Sequence, residues 1–353
     1  MKKLLSILLT TVLAVLPLSA CNTAKSDTNH IFYYDYSDTY IASVRDAMDD
    51  ALEAAGLEFQ NHDAQNSQTT QTEQVNTAVL DAPVLVVNYV QTNAADPAED
   101  IVEQARNNEI PVVFFNREVS DELINSYEQA YFVGTDAAEA GHLQGEMIGN
   151  YLVENYDAVD LNGDGVISYA LMKGENGNNE SEMRTQFAVE DANAILVENG
   201  YPELAYFDEG AETKYQVDMD GNWSAAAAQE YMSTNLATYS DANDNMIELV
   251  ISNNDSMAEG AVSALNTVGY NTTENPEQTI PVFGVDATAA AVALIESGQM
   301  AGTIKQDAVG MANTIVDILV NLHAEKGAFD GLDVNVDSNV DKVRIPYQII
   351  TGE

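Results

Sequence analysis

The sequence has few basic residues, a single cysteine and a single tryptophan. Its 353 residues include 13 Lys and Arg against 57 Asp and Glu, which gives a formal net charge of −44 at pH 7. A field of this sign repels nucleic-acid phosphates and anionic lipid headgroups, so we expect the protein to bind neither. With Cys21 as the only cysteine, an internal disulfide is excluded.

The N-terminal segment has the pattern of an export signal. Two lysines precede an apolar stretch from Leu4 to Leu16, and small residues follow it. The stretch is shorter than the roughly 20 apolar residues that span a bilayer, so residues 1–20 are predicted to be a cleaved signal. Cys21 stands where bacterial lipoproteins are acylated; an ordinary signal with an incidental cysteine is the alternative. We expect an exported protein, either periplasmic or lipid-anchored on the outer face of the cytoplasmic membrane, with residues 21–29 as a tether.

The rest of the chain alternates short apolar runs with longer segments whose apolar residues recur every three or four positions. Continuous Val/Ile runs are typical of buried parallel strands, and the intervening helices supply the crossovers. The pattern predicts an α/β fold with parallel sheets. Because a single core rarely serves more than roughly 250–300 residues, we expect two lobes. The apolar runs are Ile31–Tyr34, Val84–Asn88, Pro111–Asn116, Tyr131–Gly134, Val166–Met172, Glu248–Ser252, Pro281–Val285 and Gly302–Ile304.

A faint internal duplication supports the two lobes. The run Ile110–Asn116 recurs as Ile280–Asp286, and in both an apolar strand ends in a hydrogen-bonding side chain. In open α/β sheets, ligands bind beyond the carboxyl ends of the strands. Two facing lobes would therefore present Asn116 and Asp286 to one shared cleft.

Residues Asp160–Ser168 match the first nine positions of an EF-hand calcium loop. Position 12 of that pattern is Leu171, where an EF-hand has a bidentate Glu. Either the segment is a metal-free turn, or a carboxylate arrives from elsewhere in the fold, and Glu248 is the candidate. The loop ligands would be Asp160, Asn162 and Asp164 through their side chains, Val166 through its carbonyl and Ser168 through its hydroxyl.

On these and neighbouring stretches, the chain resembles the periplasmic glucose/galactose-binding proteins of ABC transport and chemotaxis. The similarity extends from about residue 31 to residue 347, and its most diagnostic segments are 111–116, 133–136, 160–165, 173–175, 253–255 and 280–286. The resemblance implies the type I periplasmic binding protein fold, with two Rossmann-like lobes joined by a three-strand hinge. The first lobe would comprise residues 30–134 plus 306–340, and the second residues 135–305 plus 341–353.

The resemblance also implies a structural Ca²⁺, with Glu248 completing the loop and Ser168 standing where the family usually has Gln. It implies a sugar site between the lobes as well. Within that site Tyr40 replaces a Phe, Asn178 a His, Glu180 an Asp and Gln306 an Asn, which leaves the identity of the sugar open. The implied sugar-binding residues are Tyr34, Asp38, Tyr40, Asn116, Asn178, Glu180, Arg184, Trp223, Asn254, Asp286 and Gln306.

These residue types suit a pyranose ring, whose C–H faces stack on aromatic rings and whose hydroxyls bind carboxylates and amides. We therefore expect a monomeric binding protein, not an enzyme, that delivers D-galactose, D-glucose or methyl-galactoside to an ABC transporter permease. A chemoreceptor is a further candidate partner. The alternatives are a binding protein for a pentose or an autoinducer, and a secreted glycosidase that uses carboxylates such as Asp38 and Asp286. A repressor of the same fold is disfavoured because the export signal stands where a DNA-binding helix-turn-helix would be.

Overall fold

The computed structural model describes residues 26–92, 96–240 and 245–352. The predicted signal and Cys21 lie outside these ranges. Within them, no helix has both the length and the apolar character that crossing a membrane requires.

Strands and helices alternate along the chain, as the sequence predicts. The first lobe contains β1 (Asn29–Tyr33), α1 (Thr39–Ala55), β2 (Phe59–Asp63), α2 (Gln68–Ala78), β3 (Leu85–Val87), α3 (Asp96–Asn107), β4 (Val112–Phe115), α4 (Asp121–Asn125) and β5 (Ala130–Gly134). The second contains α5 (Ala137–Val159), β6 (Ser168–Lys173), α6 (Asn179–Glu198), β7 (Ala205–Tyr206), β8 (Gln216–Val217), α7 (Ala225–Leu236), β9 (Leu249–Ser252), α8 (Asp255–Thr267), β10 (Val282–Asp286), α9 (Ala289–Glu296) and β11 (Gly302–Lys305). The remaining elements are α10 (Ala308–His323), β12 (Lys342–Arg344) and β13 (Gln348–Thr351).

Each lobe is built on its own sheet. In the described part of the chain, the first sheet has the order β12-β5-β4-β3-β1-β2, and its strands pair in parallel. The second has the order β13-β11-β10-β9-β6-β7, with β8 also paired to β6, and only β13 runs antiparallel. The predicted α/β class with two parallel-sheet lobes is confirmed.

Apolar spacing on the helices explains how the first sheet is covered. Ile41, Val44 and Met48 of α1 lie on one helix face and are buried, and they share a core with Met311 and Ile315 of α10. A separate core on the other face of the sheet holds the apolar side chains of α2 and α3. Burying both faces fixes the sheet, so the strand ends that point toward the second lobe are held rigidly.

The described chain passes between the lobes at residues 135–136, 306–307 and 345–347. The last crossing differs from the predicted boundary after residue 340, because β12 pairs with β5 of the first sheet. Lys342 of β12 is buried and its ammonium contacts Glu118 and Asp121, while Arg344 also pairs with Glu118. These ion pairs hold residues 342–344 in the first lobe. A short polar strand of this kind gives no apolar signal in the sequence.

Candidate functional site

All eleven sequence-predicted sugar-site residues line one cleft between the lobes, together with Ile41 and Arg117. Tyr34 and Asp38 follow β1, Asn116 follows β4, Asn254 follows β9, and Asp286 ends β10. Ligand-binding side chains at the carboxyl ends of parallel strands are typical of open α/β sheets. Asn116 and Asp286 line the same cleft, as the duplication predicts.

Three residues of the cleft have left-handed or otherwise positive backbone angles. The φ angle is 63° at Asn116, 55° at Trp223 and 127° at Asp286. Such conformations are uncommon for residues other than glycine, and each costs of order 1–3 kcal/mol unless the surroundings hold it. These backbone conformations therefore lower the stability of the fold, and they occur at side chains that line the cleft.

Hydrogen bonds within the first lobe fix the cleft side chains that this lobe contributes. Asn88 accepts from the Tyr34 backbone N–H at 3.2 Å and donates to Asn116 Oδ1 at 2.9 Å. The Asn116 amide nitrogen is therefore the end directed away from Asn88. The Tyr34 hydroxyl donates to Asp38, whose other oxygen caps α1 by accepting from the Ile41 N–H at 2.8 Å. Asp38 is consequently fixed from two directions.

Arg184 organises the second-lobe wall. Its guanidinium donates to the Asn253 carbonyl at 2.8 Å, to Gln306 Oε1 at 3.0 Å and to the Tyr347 hydroxyl at 3.0 Å. Gln306 Oε1 is thereby occupied, and its amide nitrogen, like Arg184 Nε, is buried without a hydrogen-bond partner among the described residues. A buried donor without a partner is costly, so both are available to a ligand.

Two buried carboxyls lie in the second-lobe part of the cleft. Both oxygens of Glu180 are buried and lack a hydrogen-bond partner in the part of the chain that the structure describes. Burial raises the pKa of Glu180 to about 6. Burial also raises the pKa of Asp286 well above its ordinary value, although the nearby Arg184 opposes the rise. Both groups are therefore poised to gain from hydrogen-bond donors on a ligand.

Asn178 precedes Glu180 and takes part in closing the cleft. Its Oδ1 caps α6 by accepting from the Ser181 N–H at 3.0 Å, and its Nδ2 lies 3.4 Å from the Thr92 hydroxyl of the first lobe. The side chain is 2% exposed. It therefore combines a helix cap with a contact between the lobes.

Aromatic rings reach the cleft from both lobes. Tyr40 comes from α1 and Trp223 from the loop before α7, and both are buried. A Cβ on Gly174 would lie 2.1 Å from the Trp223 ring, so only glycine lets the indole occupy this position. Asn254 caps α8 through the Met257 N–H and donates to the Trp223 carbonyl at 3.1 Å. These contacts hold the indole at the cleft wall.

Arg117 is the charged cleft residue that sequence reasoning missed, and Ile41 is the apolar one. Arg117 is 3% exposed, and its guanidinium carbon lies 3.7 Å from the centre of the Tyr34 ring. In the sequence, Arg117 is distinguished only by its position directly after Asn116 in a chain with 13 Lys and Arg residues. A lone arginine after a strand gives no pattern that distinguishes it from a surface charge.

Glu248 reaches the predicted calcium loop from its position directly before β9, about 80 residues further along the chain. Its Oε1 accepts from the N–H groups of Leu161 at 2.8 Å and Asn162 at 3.2 Å, and its Oε2 accepts from the Ser168 N–H at 3.1 Å. Its carboxylate therefore lies at the loop backbone, where the missing twelfth ligand would be needed.

The loop side chains bond to one another in the manner of a tight turn. Asp160 Oδ2 accepts from Gly165, Asn162 Oδ1 from Asp164, and Asp164 Oδ1 from Val166. Among residues 26–92, 96–240 and 245–352, no three Asp, Glu, His or Cys side chains are grouped so as to hold a metal. Asp160 Oδ1 is, however, buried without a partner within those ranges. An orphaned carboxylate oxygen beside alternating oxygen ligands fits a hard cation such as Ca²⁺.

Comparison with known proteins gives consistent matches over nearly the whole chain. Residues 30–327 match the model of the periplasmic binding protein domain. The chain is 35% identical over 344 residues to the D-galactose/methyl-galactoside binding periplasmic protein of Haemophilus influenzae, covering 96% of this chain and 94% of that protein. It is 24% identical to the D-xylose-binding periplasmic protein of Escherichia coli, covering 79% and 72%. A solved ABC transporter solute binding protein from Bacillus halodurans with bound myo-inositol aligns at a TM-score of 0.67 and 26% identity, covering 93% and 96%.

Proposed function

The chain belongs to the periplasmic binding protein domain family, and from that premise we propose that it is the exported sugar-binding protein of an ABC transporter. The ligand we propose is D-galactose, D-glucose or a methyl-galactoside, taken into the cleft between the lobes. The observation that carries the proposal is the convergence of aromatic rings from both lobes with carboxylates and amides in one cleft. The 35%-identical relative, which is named for galactose and methyl-galactoside, supports the same choice.

The cleft matches the chemistry of a neutral pyranose. Tyr40 and Trp223 offer flat apolar surfaces for the C–H faces of the ring, since aromatic side chains contribute both area and geometry. Asp38, Glu180 and Asp286 can accept hydrogen bonds from hydroxyls, and each such bond to an ionised carboxylate is worth about 1.5–3 kcal/mol. Arg184 and the amides supply donors for the ring and hydroxyl oxygens. A sugar satisfies groups that are otherwise buried and unpaired.

Binding in such a cleft requires the lobes to close around the sugar. The three crossings are the segments about which the lobes can rotate, and the closed form would be the one that the permease recognises. We further propose that acylated Cys21 tethers the protein to the outer face of the cytoplasmic membrane, where two acyl chains suffice for stable anchoring.

A different monosaccharide, including a pentose, is the second candidate. Glu180 and Gln306 are each one methylene longer than the Asp and Asn typical of glucose/galactose-binding proteins, and both are buried at the cleft. A longer side chain in a closed cleft leaves less room for an exocyclic hydroxymethyl group. The 24%-identical relative named for D-xylose favours testing this candidate directly.

We also propose that the loop from Asp160 to Ser168 holds a structural Ca²⁺. Asp160, Asn162 and Asp164 would supply side-chain oxygens, Val166 its carbonyl, and Glu248 the bidentate carboxylate. The Ser168 hydroxyl donates to the Met246 carbonyl, so it would be the weakest ligand. The ion would neutralise carboxylates and fix the entry into β6.

Tryptophan fluorescence tests the function, because Trp223 is the only tryptophan of the chain and lines the cleft. Titration with D-galactose, D-glucose, methyl-galactoside, D-xylose, L-arabinose and D-ribose should give a saturable change with the first three at the lowest concentrations. An Asn116→Ala variant should bind more weakly by about tenfold, the cost of roughly one hydrogen bond to a hydroxyl.

Preference for a pentose over both hexoses would replace the first candidate by the second. Absence of a response to every monosaccharide, checked by calorimetry on the same preparation, would contradict the proposed function.

A further inference from the structure

We propose that Arg117 and Glu175 form an ion pair that holds the two lobes together over the bound ligand and so slows its release. Arg117 follows β4 of the first lobe, and Glu175 follows β6 of the second. Arg117 Nη2 lies 3.6 Å from Glu175 Oε2, with side-chain exposures of 4% and 17%. The pair thus bridges the cleft at a place that is nearly closed to solvent. This proposal rests on the proposed function, because that function supplies the ligand as a sugar.

Arg117 is fixed within its own lobe. Its guanidinium donates to the Val90 carbonyl and lies over the Tyr34 ring at 3.7 Å from the centroid. Tyr34 in turn donates to Asp38, a predicted sugar ligand. Because these contacts belong to the first lobe alone, Arg117 keeps its orientation when the lobes separate, and its charge is presented in advance to the second lobe.

Glu175 is fixed in the same way on the other side. Its backbone N–H donates to the Ser181 hydroxyl at 3.1 Å. Burial raises the pKa of its carboxyl, and Arg117, Thr92 and Trp223 oppose the rise. The Thr92 hydroxyl of the first lobe lies 3.5 Å from Glu175 Oε1. Glu175 therefore lies beside both Thr92 and Arg117 of the first lobe.

The pair exists only when the lobes are together, so it contributes to the closed state alone. Two charges that water barely reaches attract each other more strongly than an exposed pair. Opening must break this contact before the ligand leaves, whereas the ligand enters before the contact forms. Its loss should accordingly appear mainly in the dissociation rate. A further contact between the lobes, from Asn66 to Asn222 at 2.7 Å, is exposed and should matter less.

Stopped-flow kinetics on Glu175→Gln, Arg117→Met and the double variant test the proposal, with the sugar that the wild-type chain binds best. Each single variant should release the sugar about tenfold faster, the effect of breaking one partly shielded charge contact. Glu175→Gln, at a residue that does not line the cleft, should leave the association rate and the galactose-to-glucose ratio unchanged. The double variant should be no worse than either single one, because both report one contact. Arg117→Lys should restore part of the loss. Asp191→Asn, which removes the carboxylate charge from the His142–Asp191 contact of 2.6 Å within one lobe, is the matched control.

Unchanged dissociation rates in both single variants, or additive effects in the double variant, would overturn the proposal. If the wild-type chain binds no monosaccharide, the proposed function fails, and spin-label distances between the lobes decide the matter instead. Labels at the exposed positions Leu80 and Val268, in a chain with Cys21→Ser, should show a longer mean distance for Glu175→Gln than for Asp191→Asn. Superimposable distance distributions would overturn it.

Discussion

At the scale of single residues, Glu180 should make sugar binding depend on pH. Its pKa is raised to about 6 because burial disfavours the charged form. Sugar hydroxyls donate to the ionised carboxylate, so binding should weaken as the pH falls through about 6. One pH unit below the pKa, only about a tenth of the carboxyl is ionised, which predicts a roughly tenfold higher Kd.

Calorimetric titrations between pH 7 and 5 would measure this effect, with Glu180→Gln as the comparison. That variant should bind more weakly at pH 7 and show a flatter profile, since the neutral amide has nothing to lose. The folding stability of the unliganded protein should depend on pH in the opposite direction to sugar binding. A carboxyl whose folded pKa lies above its unfolded value makes the free energy of unfolding fall as pH rises between the two. A wild-type inflection that persists unchanged in Glu180→Gln would contradict the assignment.

Cleft residues could be predicted from the sequence only where they come directly after a strand or match a motif of the family. Asn116 and Asp286 could be paired from the duplicated runs that precede them, and the structure places both in one cleft. Arg117 could not be predicted, because its burial depends on the Tyr34 ring and the Val90 carbonyl, which are distant in sequence. The positive φ angle of Trp223 could not be predicted either, because this conformation is uncommon for residues other than glycine.

At the scale of elements, three glycines determine how α5 lies against α6. Gly141, Gly145 and Gly149 recur every four residues and face the neighbouring helix. A Cβ at Gly145 would lie 2.7 Å from both Asp191 Cβ and the Phe187 carbonyl oxygen. These distances are too short for any side chain, so the two helices approach at backbone distance.

Gly145→Val should therefore force the helices apart. We expect the free energy of unfolding to fall by about 1–3 kcal/mol, the usual cost of overpacking a tight contact. Urea denaturation followed by circular dichroism would measure it. Glu146→Val, on the exposed side of the same helix, adds the same side chain without the clash and should change stability little. Because Val has a higher helix propensity than Gly, a Gly145→Val variant as stable as the wild type would contradict the close helix contact.

Element prediction succeeded where strands are central and failed at the sheet edges. All eight apolar runs correspond to strands, for example Pro111–Asn116 to β4 and Pro281–Val285 to β10. The missed strands are β2, β7, β8, β12 and β13, which are short or lie at an edge. An edge strand such as β2, with the sequence Phe-Gln-Asn-His-Asp, is only partly buried. It therefore lacks the continuous apolar run that identifies a strand buried on both faces.

At the scale of the whole molecule, the proposed calcium loop and the sugar cleft belong to different ends of the second lobe. The loop precedes β6, whereas the cleft residues Asn178 and Glu180 follow it. We expect removal of Ca²⁺ by a chelator to lower the melting temperature, because an ion that binds only the folded state stabilises it by mass action. Sugar affinity should stay nearly unchanged while the protein remains folded.

Differential scanning calorimetry and sugar titration, each with and without chelator, would separate the two effects. Glu248→Gln should reproduce the chelated melting temperature and become insensitive to added Ca²⁺, whereas Asn116→Ala should retain the full calcium response. A melting temperature that does not respond to Ca²⁺ in the wild-type chain would contradict the metal site.

The interleaving of the two lobes has a consequence for biogenesis. The first sheet acquires its last strand, Lys342–Arg344, only after the second lobe has been made as far as β11, because β12 pairs with β5 across an interval of more than two hundred residues. A nascent chain therefore cannot complete its first lobe while synthesis is in progress. The edge of the sheet beside β5 therefore stays without its β12 partner until residues 342–344 have been synthesised.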